Sequence, residues 1–158
     1  MIIEVFGDEI TKEDIVHDNT RIGCRGIVCK DDLYLVVRLK EWDIYTFPGG
    51  GLEENETLEE CCQREVLEET GIKVNVLEKR TTVKEYFIDS TWINHYFVCE
   101  FVEDTGINHL TEEETELGLE KLWMTADDLL DQFTNNMTNH KNGPEVHNRE
   151  FLGFINSI

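Results

Sequence analysis

The sequence predicts a layered α/β protein in which several strands pack with a few helices. Three observations support this class. Short β-branched runs recur along the chain, two segments carry helix-capping signatures, and 40% of the 158 residues are apolar, which is enough for a core. No internal repeat and no linker rich in proline, glycine or serine divides the chain. We therefore expect one domain over residues 1–158.

The first half of the chain predicts strands. IIEVF near the N-terminus is typical of a short strand, and a polar connection without a clear assignment follows it. RIGCRGIVCK and LYLVVRLK are separated by two aspartates and predict a hairpin. The alternation within the second run places these side chains on one face of the sheet: Leu33, Leu35, Val37 and Leu39. Residues 41–56 are aromatic and glycine-rich, so we expect mostly turn and loop.

A helix follows this passage. Thr57 and Glu60 have the spacing of a capping box, and the helix is expected to run to about Thr70, with Gly71 as the C′ residue. TTVKEYFI and TWINHYFVCEFV then predict a second long hairpin. The acidic run EEETE is most simply a solvated loop.

The C-terminal part predicts one more strand and two helices. ELGLEKLWM is typical of a short strand, and Thr125 with Asp128 caps a helix through DDLLDQF. TNNMTNHKNG is an asparagine-rich loop. The tail EVHNREFLGFI predicts a last helix that buries Phe151, Leu152 and Ile155.

The charge balance excludes some classes of partner. Thirty-four acidic residues against 14 basic ones give a net charge of −20. Proteins that bind polyanions need basic surface to displace counterions, so we expect no broad contact with nucleic acid or with an anionic membrane. The short N-terminal apolar run fits neither a signal peptide nor a membrane span, and the five cysteines contain no Cys-x-x-Cys pair. These features favour a cytoplasmic protein.

Three glutamates crowd the end of the helix that starts after Thr57. Glu65, Glu68 and Glu69 stand at i, i+3 and i+4, where like charges repel by about 0.2–0.5 kcal/mol per pair. The helix macrodipole also disfavours anions at this end. The same helical sector carries an apolar stripe further up: Leu58, Cys61 and Cys62. The apolar stripe therefore continues as carboxylates that point inward.

Inward carboxylates need protons, basic partners or metal ions. Arg64 is the only basic residue of this helix, its best-placed helical partner is Glu60, and it cannot neutralise three acids. Hard oxygen ligands at this density suit Mg²⁺ or Mn²⁺. The alternative interpretation is an exposed acidic helix end in a protein that is acidic everywhere.

The residues around these glutamates match a known pattern. From Gly50 onward the spacing is Gly50, five residues, Glu56, seven residues, Arg64-Glu65-Val66, one residue, Glu68-Glu69, one residue, and Gly71-Ile72. At every fixed position this resembles the signature of the Nudix (MutT-like) hydrolases. The resemblance implies an α/β/α sandwich around a mixed β-sheet. It also implies metal-dependent hydrolysis of a nucleoside diphosphate linked to another group.

The resemblance implies a role for each matching position. Glu65, Glu68 and Glu69 resemble the metal ligands, and the carbonyl of Gly49 is a further candidate ligand. Either Glu65 or Glu68 would orient or deprotonate the attacking water, and the choice between them stays open. The remaining box residues would be structural, with the second and third of them forming a pair: Gly50, Glu56, Arg64 and Gly71.

Residues outside the box are less specific candidates. Many family members use a further acid from a loop, for which the candidates are Glu112, Glu113, Glu114 and Glu116. Aromatic residues before the glycines could stack on a base or pack in the core: Trp42, Tyr45 and Phe47. His95 fits a hydrogen-bonded core position. His147 and Arg149 could reach a substrate phosphate, although a surface helix would explain them equally well.

The resemblance leaves the substrate open. Members specific for ADP-ribose tend to carry a proline downstream of the box, where this chain has Phe87, and the tyrosine of dinucleoside polyphosphate hydrolases is also missing. A nucleoside triphosphate pyrophosphatase acting on a small nucleotide is the default expectation. The alternatives are a hydrolase of nucleotide sugars or dinucleoside polyphosphates, a catalytically silent nucleotide sensor, and an RNA-decapping enzyme. The sequence allows a homodimer but does not specify the oligomeric state.

Overall fold

The computed structural model describes all 158 residues, which form eight strands, four α-helices and one short 3₁₀ turn at Lys12–Asp14. The strands are β1 (Ile2–Phe6), β2 (Thr20–Lys30), β3 (Leu33–Leu39), β4 (Ile44–Thr46), β5 (Gly49–Gly51), β6 (Ile72–Tyr86), β7 (Thr91–Asp104) and β8 (Leu119–Met124). The helices are α1 (Leu58–Thr70), α2 (Glu112–Glu116), α3 (Ala126–Asn135) and α4 (Gly143–Ile155).

All eight strands belong to one mixed sheet. Its hydrogen-bonded order is β1-β6-β7-β2-β3-β4, with β5 paired to β2 and β8 paired to β3. Two pairings are parallel, β1 with β6 and β2 with β7. The β2–β7 register runs from Thr20 opposite Thr91 to Cys29 opposite Glu100. The middle of the sheet therefore joins segments that lie far apart in the sequence.

Helices cover both faces of this sheet. α1 packs on one face against β2 and β6, while α4 packs on the other against α3, β4 and β6. Neighbouring strand residues alternate between two cores, with Val28 in the first and Ile27 in the second. The first core contains Cys24, Val28, Leu35, Cys61, Cys62, Val66, Ile72, Val74, Phe97 and Cys99. The second contains Ile27, Val36, Phe47, Val83, Tyr96, Leu129, Phe133 and Phe154. The predicted α/β/α sandwich is confirmed.

The predicted helix ends are also confirmed. The Thr57 side chain accepts a hydrogen bond from the Glu60 N–H, and the Glu60 carboxylate accepts one from the Thr57 N–H. Gly71 ends α1 with a φ of 73°, a left-handed conformation that glycine adopts without steric cost. Thr125 caps α3 by accepting from the Asp128 N–H.

Two predictions in loops and hairpins are confirmed with added detail, and a third was wrong. β2 and β3 form the predicted hairpin, in which only Cys29 and Lys30 pair with β3. The same edge of β2 pairs with β5 at residues 23–25, and the opposite edge pairs with β7. The passage 41–56 is mostly turn and loop, as predicted, and it also contains the three-residue strands β4 and β5. EEETE forms the helix α2, because Thr111 and Glu114 make a capping box at its start.

The buried face of α4 also differs from the prediction. Phe151 and Leu152 are only half-buried and Ile155 is 40% exposed. Phe154 is fully buried, and it is joined on the inner face of α4 by polar side chains: His147, Arg149 and Glu150. The prediction failed because it assigned charged residues to the solvent side.

None of the helices has both the length and the apolar character that crossing a lipid bilayer requires.

Candidate active site

The three crowded glutamates of α1 have different environments. The Glu69 residue is 6% exposed and the Glu65 side chain is 15% exposed, whereas the Glu68 side chain is 42% exposed. Burial raises the pKa of Glu65, and the adjacent Arg64 opposes this shift. The apolar stripe of α1 therefore continues into two largely buried carboxylates and one half-exposed carboxylate.

Arg64 lies among the carboxylates of this region. Its Nε and Nη2 donate to Glu56 at 2.6 and 3.0 Å, and Nη2 also donates to the Gly51 carbonyl at 3.0 Å. Its Nη1 donates to Glu65 at 2.9 Å and to Glu68 at 3.2 Å. The Glu56–Arg64 pair implied by the resemblance is thus present, and it ties the loop to the helix. Hydrogen bonding to Arg64 lowers the pKa of Glu56 to about 2.

The helical spacing gave the wrong partner for Arg64. Glu60 is engaged in the capping box, so its carboxylate is held at the start of α1. Arg64 instead reaches across to the loop before the helix, where Glu56 accepts two of its hydrogen bonds. A bidentate pair of this kind is stronger than an exposed pair at i, i+4.

Gly50 leaves space for Glu65. A side-chain carbon at position 50 would lie 2.6–2.7 Å from the carboxylate atoms of Glu65, which is closer than real contacts allow. Glycine therefore lets the backbone of β5 pass directly over the carboxylate. This is a structural reason for the first glycine of the box.

Glu69 also contacts β5, at Gly49. It accepts a hydrogen bond from the Gly49 N–H at 2.7 Å. Burial raises the pKa of Glu69 well above its ordinary value, and the neighbouring Glu114 carboxyl adds to the shift. Of the extra acids expected from the sequence, Glu113 and Glu114 thus lie beside the box, while Glu112 and Glu116 are exposed and do not line the cleft described next.

A cleft of about 310 Å³ opens beside Glu69. Its acidic side consists of Glu69, Glu113 and Glu114, and Gly49 lies next to them. The rest of the wall comes from β2, β3, β4, β8 and α4 and is mainly apolar, with two arginines: Arg25, Val37, Leu39, Trp42, Ile44, Thr46, Leu117, Leu119, Val146 and Arg149. The cleft therefore brings three carboxylates and two guanidinium groups together in a protein of strongly negative charge.

Arg25 was not among the residues predicted from the sequence. For Arg149, two interpretations had stayed open, a contact with substrate phosphate and a place on a surface helix. Arg25 is held by Asn94, which accepts from its Nε at 3.2 Å, and by the Phe47 carbonyl, which accepts from Nη1 at 3.1 Å. A charged residue within the otherwise apolar run of β2 was the signal that could have identified it. Arg149 has no comparable signal, because its neighbours in α4 are polar as well.

Arg149 belongs to a buried polar network beneath α4. Glu150 is fully buried and accepts three hydrogen bonds, from Arg149 Nε at 2.9 Å, from the Phe47 N–H at 2.6 Å and from the Tyr96 hydroxyl at 2.5 Å. Although burial opposes it, the Arg149 charge keeps the pKa of Glu150 below its ordinary value. This network fixes α4, and with it the position of Arg149 at the cleft.

The three aromatic candidates lie in different environments. Trp42 lines the cleft and packs against His140, with ring centroids 4.5 Å apart. Tyr45 lies beneath Arg38, and Phe47 is fully buried in the second core. Only Trp42 is placed to meet a ligand in this cleft.

The two histidines have structural partners. His95 is half-buried, and its Nδ1 lies 2.9 Å from the Thr82 hydroxyl, as a core position predicts. His147 is 2% exposed, and its Nε2 accepts from the Tyr45 N–H at 3.0 Å. Burial lowers the pKa of His147, and Nε2 carries no proton because it accepts this hydrogen bond. The surface-helix interpretation of His147 and Arg149 was wrong, since both are buried.

The acids do not form a ready-made metal cage. No group of three or more histidine, cysteine, aspartate or glutamate side chains is gathered closely enough to hold a metal ion. Glu65 and Glu68 are engaged by Arg64, whereas Glu69 is engaged by the Gly49 N–H. The donors are nevertheless carboxylates, and two of them are buried with raised pKa values. Their chemistry fits a hard divalent cation.

Comparison with known proteins identifies the class to which this fold and box belong. The NUDIX domain family model matches residues 20–144, so the chain belongs to the Nudix family. A NUDIX hydrolase from Nitrosomonas europaea has the same fold, with a TM-score of 0.63 at 20% identity over 85% of this chain and 90% of that one. A MutT protein from Methanosarcina mazei gives 0.59 at 20% identity over 85% and 94%.

The relatives found by sequence similarity are named as different enzymes. The chain is 34% identical over 109 residues to mRNA-decapping enzyme subunit 2 of Arabidopsis thaliana, covering 65% of this chain and 29% of that protein. It is 39% identical over 70 residues to the 8-oxo-dGTP diphosphatase of Proteus vulgaris, covering 44% and 59%. The chain thus spans from under a third to about three-fifths of the length of these relatives.

Proposed function

We propose that this protein is a metal-dependent hydrolase of the diphosphate bond in a nucleoside diphosphate linked to another group, with a nucleoside triphosphate as the first expected substrate. The buried carboxylate of Glu69 carries the proposal, because it lines a cleft together with Glu114, Arg25 and Arg149. Family membership and the intact box support hydrolysis over silent binding.

The residues of this site divide the work between metal and substrate. Glu65, Glu68 and Glu69 would hold Mg²⁺ or Mn²⁺, with the Gly49 carbonyl and Glu114 as further oxygen donors. When bound, such an ion neutralises polyphosphate charge and stabilises negative charge in the transition state. A polyphosphate could then approach a protein with a net charge of −20.

The chain's own side chains supply the remaining interactions. Arg25 would donate to phosphate oxygens in the cleft. Trp42 would cover an apolar part of the substrate. Glu68 is the more exposed of the two candidate bases, so it would orient or deprotonate the attacking water more readily than Glu65, which lies under β5.

A turnover screen tests this function directly. The full chain is incubated with nucleoside triphosphates, nucleotide sugars, ADP-ribose, dinucleoside polyphosphates and capped RNA, each with 5 mM Mg²⁺ and in matched samples with excess EDTA. We expect Mg²⁺-dependent release of a nucleoside monophosphate from at least one small substrate. Identification of the products assigns the bond that is cleaved.

The other outcomes of the screen separate the alternative functions. Nucleotide binding without turnover of any substrate would contradict hydrolysis and identify a sensor. Turnover of capped RNA alone would replace the small substrate by RNA, as the name of the Arabidopsis relative suggests for that protein. Metal-independent turnover would contradict the role of the carboxylates.

A further inference from the structure

A second and larger cavity adjoins the cleft. Its volume is about 540 Å³, and its walls are the loop after β1, the turn between β6 and β7, and the first turns of α4. It shares Val146 and Arg149 with the cleft beside Glu69. A ligand that extends from the acidic box past these two residues would therefore enter it.

Two buried, oppositely charged side chains face this cavity with hydrogen-bonding capacity to spare. The side chains of Glu85 and Arg149 are only 8% and 7% exposed. Arg149 uses its Nε for Glu150, whereas its Nη1 and Nη2 make no hydrogen bond, and the Glu85 carboxylate accepts none. Their closest approach, from Nη1 to Oε1, is 4.0 Å, which is too long for a direct hydrogen bond.

The unpaired atoms of Glu85 and Arg149 keep contact with the solvent-accessible cavity, because Nδ1 of His147 is the only buried side-chain polar atom without a hydrogen-bond partner. Burial raises the pKa of Glu85, and the nearby Arg149 opposes the shift. Both groups are therefore held almost buried, by contrast with the closed 2.9 Å pair of Arg149 and Glu150, with hydrogen-bonding atoms open to a ligand in the cavity.

We propose that this cavity is a base-binding subsite for a guanine-type ring, with Glu85 accepting hydrogen bonds from the ring N–H and exocyclic amino group and Arg149 donating to the neighbouring carbonyl oxygen. The inference rests on the proposed function only in taking the ligand to be a nucleotide. Phe87 and Trp92 also line the cavity and offer aromatic faces for stacking.

The edge chemistry of the other bases fits poorly. Guanine offers two adjacent donors beside a carbonyl acceptor, which complements a carboxylate next to a guanidinium. The same edge of adenine or cytosine places a ring-nitrogen acceptor against the carboxylate, and uracil flanks its single donor with two carbonyls. Three further acids of the lining also favour a donor-rich ligand: Asp8, Asp89 and Glu145. A site built around such hydrogen bonds rejects ligands that lack them.

Equilibrium binding tests the subsite without requiring turnover. The affinities of GMP, IMP and AMP for the full wild-type chain are measured by calorimetry in 5 mM Mg²⁺. We expect GMP to bind at least about tenfold more tightly than AMP. IMP keeps the ring N–H and the carbonyl but lacks the amino group, so its affinity is expected to fall between the two.

A conservative variant assigns the preference to Glu85. Glu85→Gln keeps the shape of the side chain but replaces one acceptor by a donor, so the GMP/AMP ratio is expected to fall to about threefold or less. Glu103→Gln is the matched control, because Glu103 is exposed on β7 and outside both cavities. It removes the same charge and is expected to keep the wild-type ratio. Far-UV circular dichroism checks that both variants fold.

Each alternative result bears on the subsite. Equal affinities for GMP and AMP in the wild-type chain would overturn it, and so would a preference that survives in folded Glu85→Gln. If Glu85→Gln fails to fold, the wild-type affinity for IMP provides the test. IMP lacks the amino group, so an IMP affinity equal to that of GMP would show that this group makes no contact with Glu85 and would overturn the subsite. The proposed hydrolysis is judged separately, since turnover without base preference would leave it intact, while base-selective binding without turnover would leave the subsite intact.

Discussion

Arginine and glutamate form ion pairs in two regions of this protein, one partly exposed and the other buried. At the open end of α1, the single Arg64 faces four carboxylates whose side chains range from 11% to 65% exposed: Glu53, Glu56, Glu65 and Glu68. Beneath α4, Arg149 and Glu150 meet in the interior with side-chain exposures of 7% and 0%. The first region has an excess of negative charge, and the second is nearly balanced.

The difference separates a structural cluster from a binding cluster. Glu150 accepts hydrogen bonds from Tyr96, Phe47 and Arg149, so this carboxylate needs no further partner. Around α1 the carboxylates outnumber their cation, and the excess charge is available to a ligand. Breaking a buried pair is expected to cost stability, while neutralising an exposed member of the excess is expected to cost activity.

The largest expected effect is on the buried network. Glu150→Ala would leave Arg149 charged in the interior and remove acceptors from the Phe47 N–H and the Tyr96 hydroxyl. Loss of one partner of such a pair costs about 3–5 kcal/mol. Urea denaturation should therefore show a free energy of unfolding reduced by that amount. The exposed control Glu103→Ala should change it by less than about 0.5 kcal/mol, and an equally stable Glu150→Ala would remove the contrast between the two regions.

The next effect is on catalysis. Glu68→Gln is expected to lower kcat by about a hundredfold or more, because it removes a carboxylate expected to hold the metal or the water. Its stability should stay near wild type, since the side chain is 42% exposed and accepts one hydrogen bond, from Arg64 at 3.2 Å. Steady-state kinetics and urea denaturation on the same preparation check both parts. Near wild-type turnover would refute the role given to Glu68.

Metal binding should stabilise the first region. Millimolar Mg²⁺ relieves the repulsion within α1, and a gain of about 1–2 kcal/mol corresponds to a Tm increase of about 2–8 °C for a chain of this size. Differential scanning calorimetry with and without Mg²⁺, at matched ionic strength in NaCl, measures it. A Glu68→Gln chain should show a smaller shift, and a wild-type chain without any shift would count against metal capture.

The Mg²⁺ effect should also depend on pH. The raised pKa values of Glu65 and Glu69 mean that the folded state holds these protons more tightly than the unfolded state. Stability is therefore present at acidic pH and lost as the pH rises through the raised values. Because Mg²⁺ binds the deprotonated acids, its effect on Tm should be larger at pH 7.5 than at pH 5.5. A shift that does not change with pH would contradict this coupling.

The smallest effect concerns Glu56, whose pKa is lowered from 4.5 to about 2 by Arg64. A lowered pKa contributes stability that is complete above about pH 4.5 and lost as the pH falls through about 2. Solvent screening limits this contribution to about 1 kcal/mol. Glu56→Gln should lose that much at pH 6 but show a weaker decline between pH 5 and pH 2. Parallel acid-titration curves for the two chains would contradict the role of the pair.

Local signals made part of this structure predictable. Thr57 and Glu60 satisfy each other within one turn, so the start of α1 follows from four residues of sequence. The β6–β7 hairpin was also predicted, but β6 starts at Ile72 rather than at Thr81, because the bulges between Lys73 and Thr81 interrupt the alternating pattern. The glutamates of α1 were identifiable because their spacing is local and energetically unfavourable without a ligand.

Long-range contacts were not predictable in this way. The pairing of β2 with β7 depends on residues about seventy positions apart, and both strands also fit hairpins with their sequence neighbours. Arg149 and Glu150 belong to the interior only because Tyr96, Phe47 and Glu85 meet them there. Arg25, Glu85 and the second cavity lay outside the sequence prediction for the same reason.

The parallel pairing of β2 with β7 also bears on how the chain acquires its cleft. β2 cannot pair with β7 until residue 100 has left the ribosome, and Arg149 is synthesised only with α4, the last helix. Non-local pairing slows folding, because a long loop must close, with loss of conformational entropy, before the strand contacts can stabilise it. During synthesis the α1 acids therefore precede Arg149 of α4 and β7, the strand that supports Arg25, so the proposed metal ligands form before the proposed nucleotide cleft is complete.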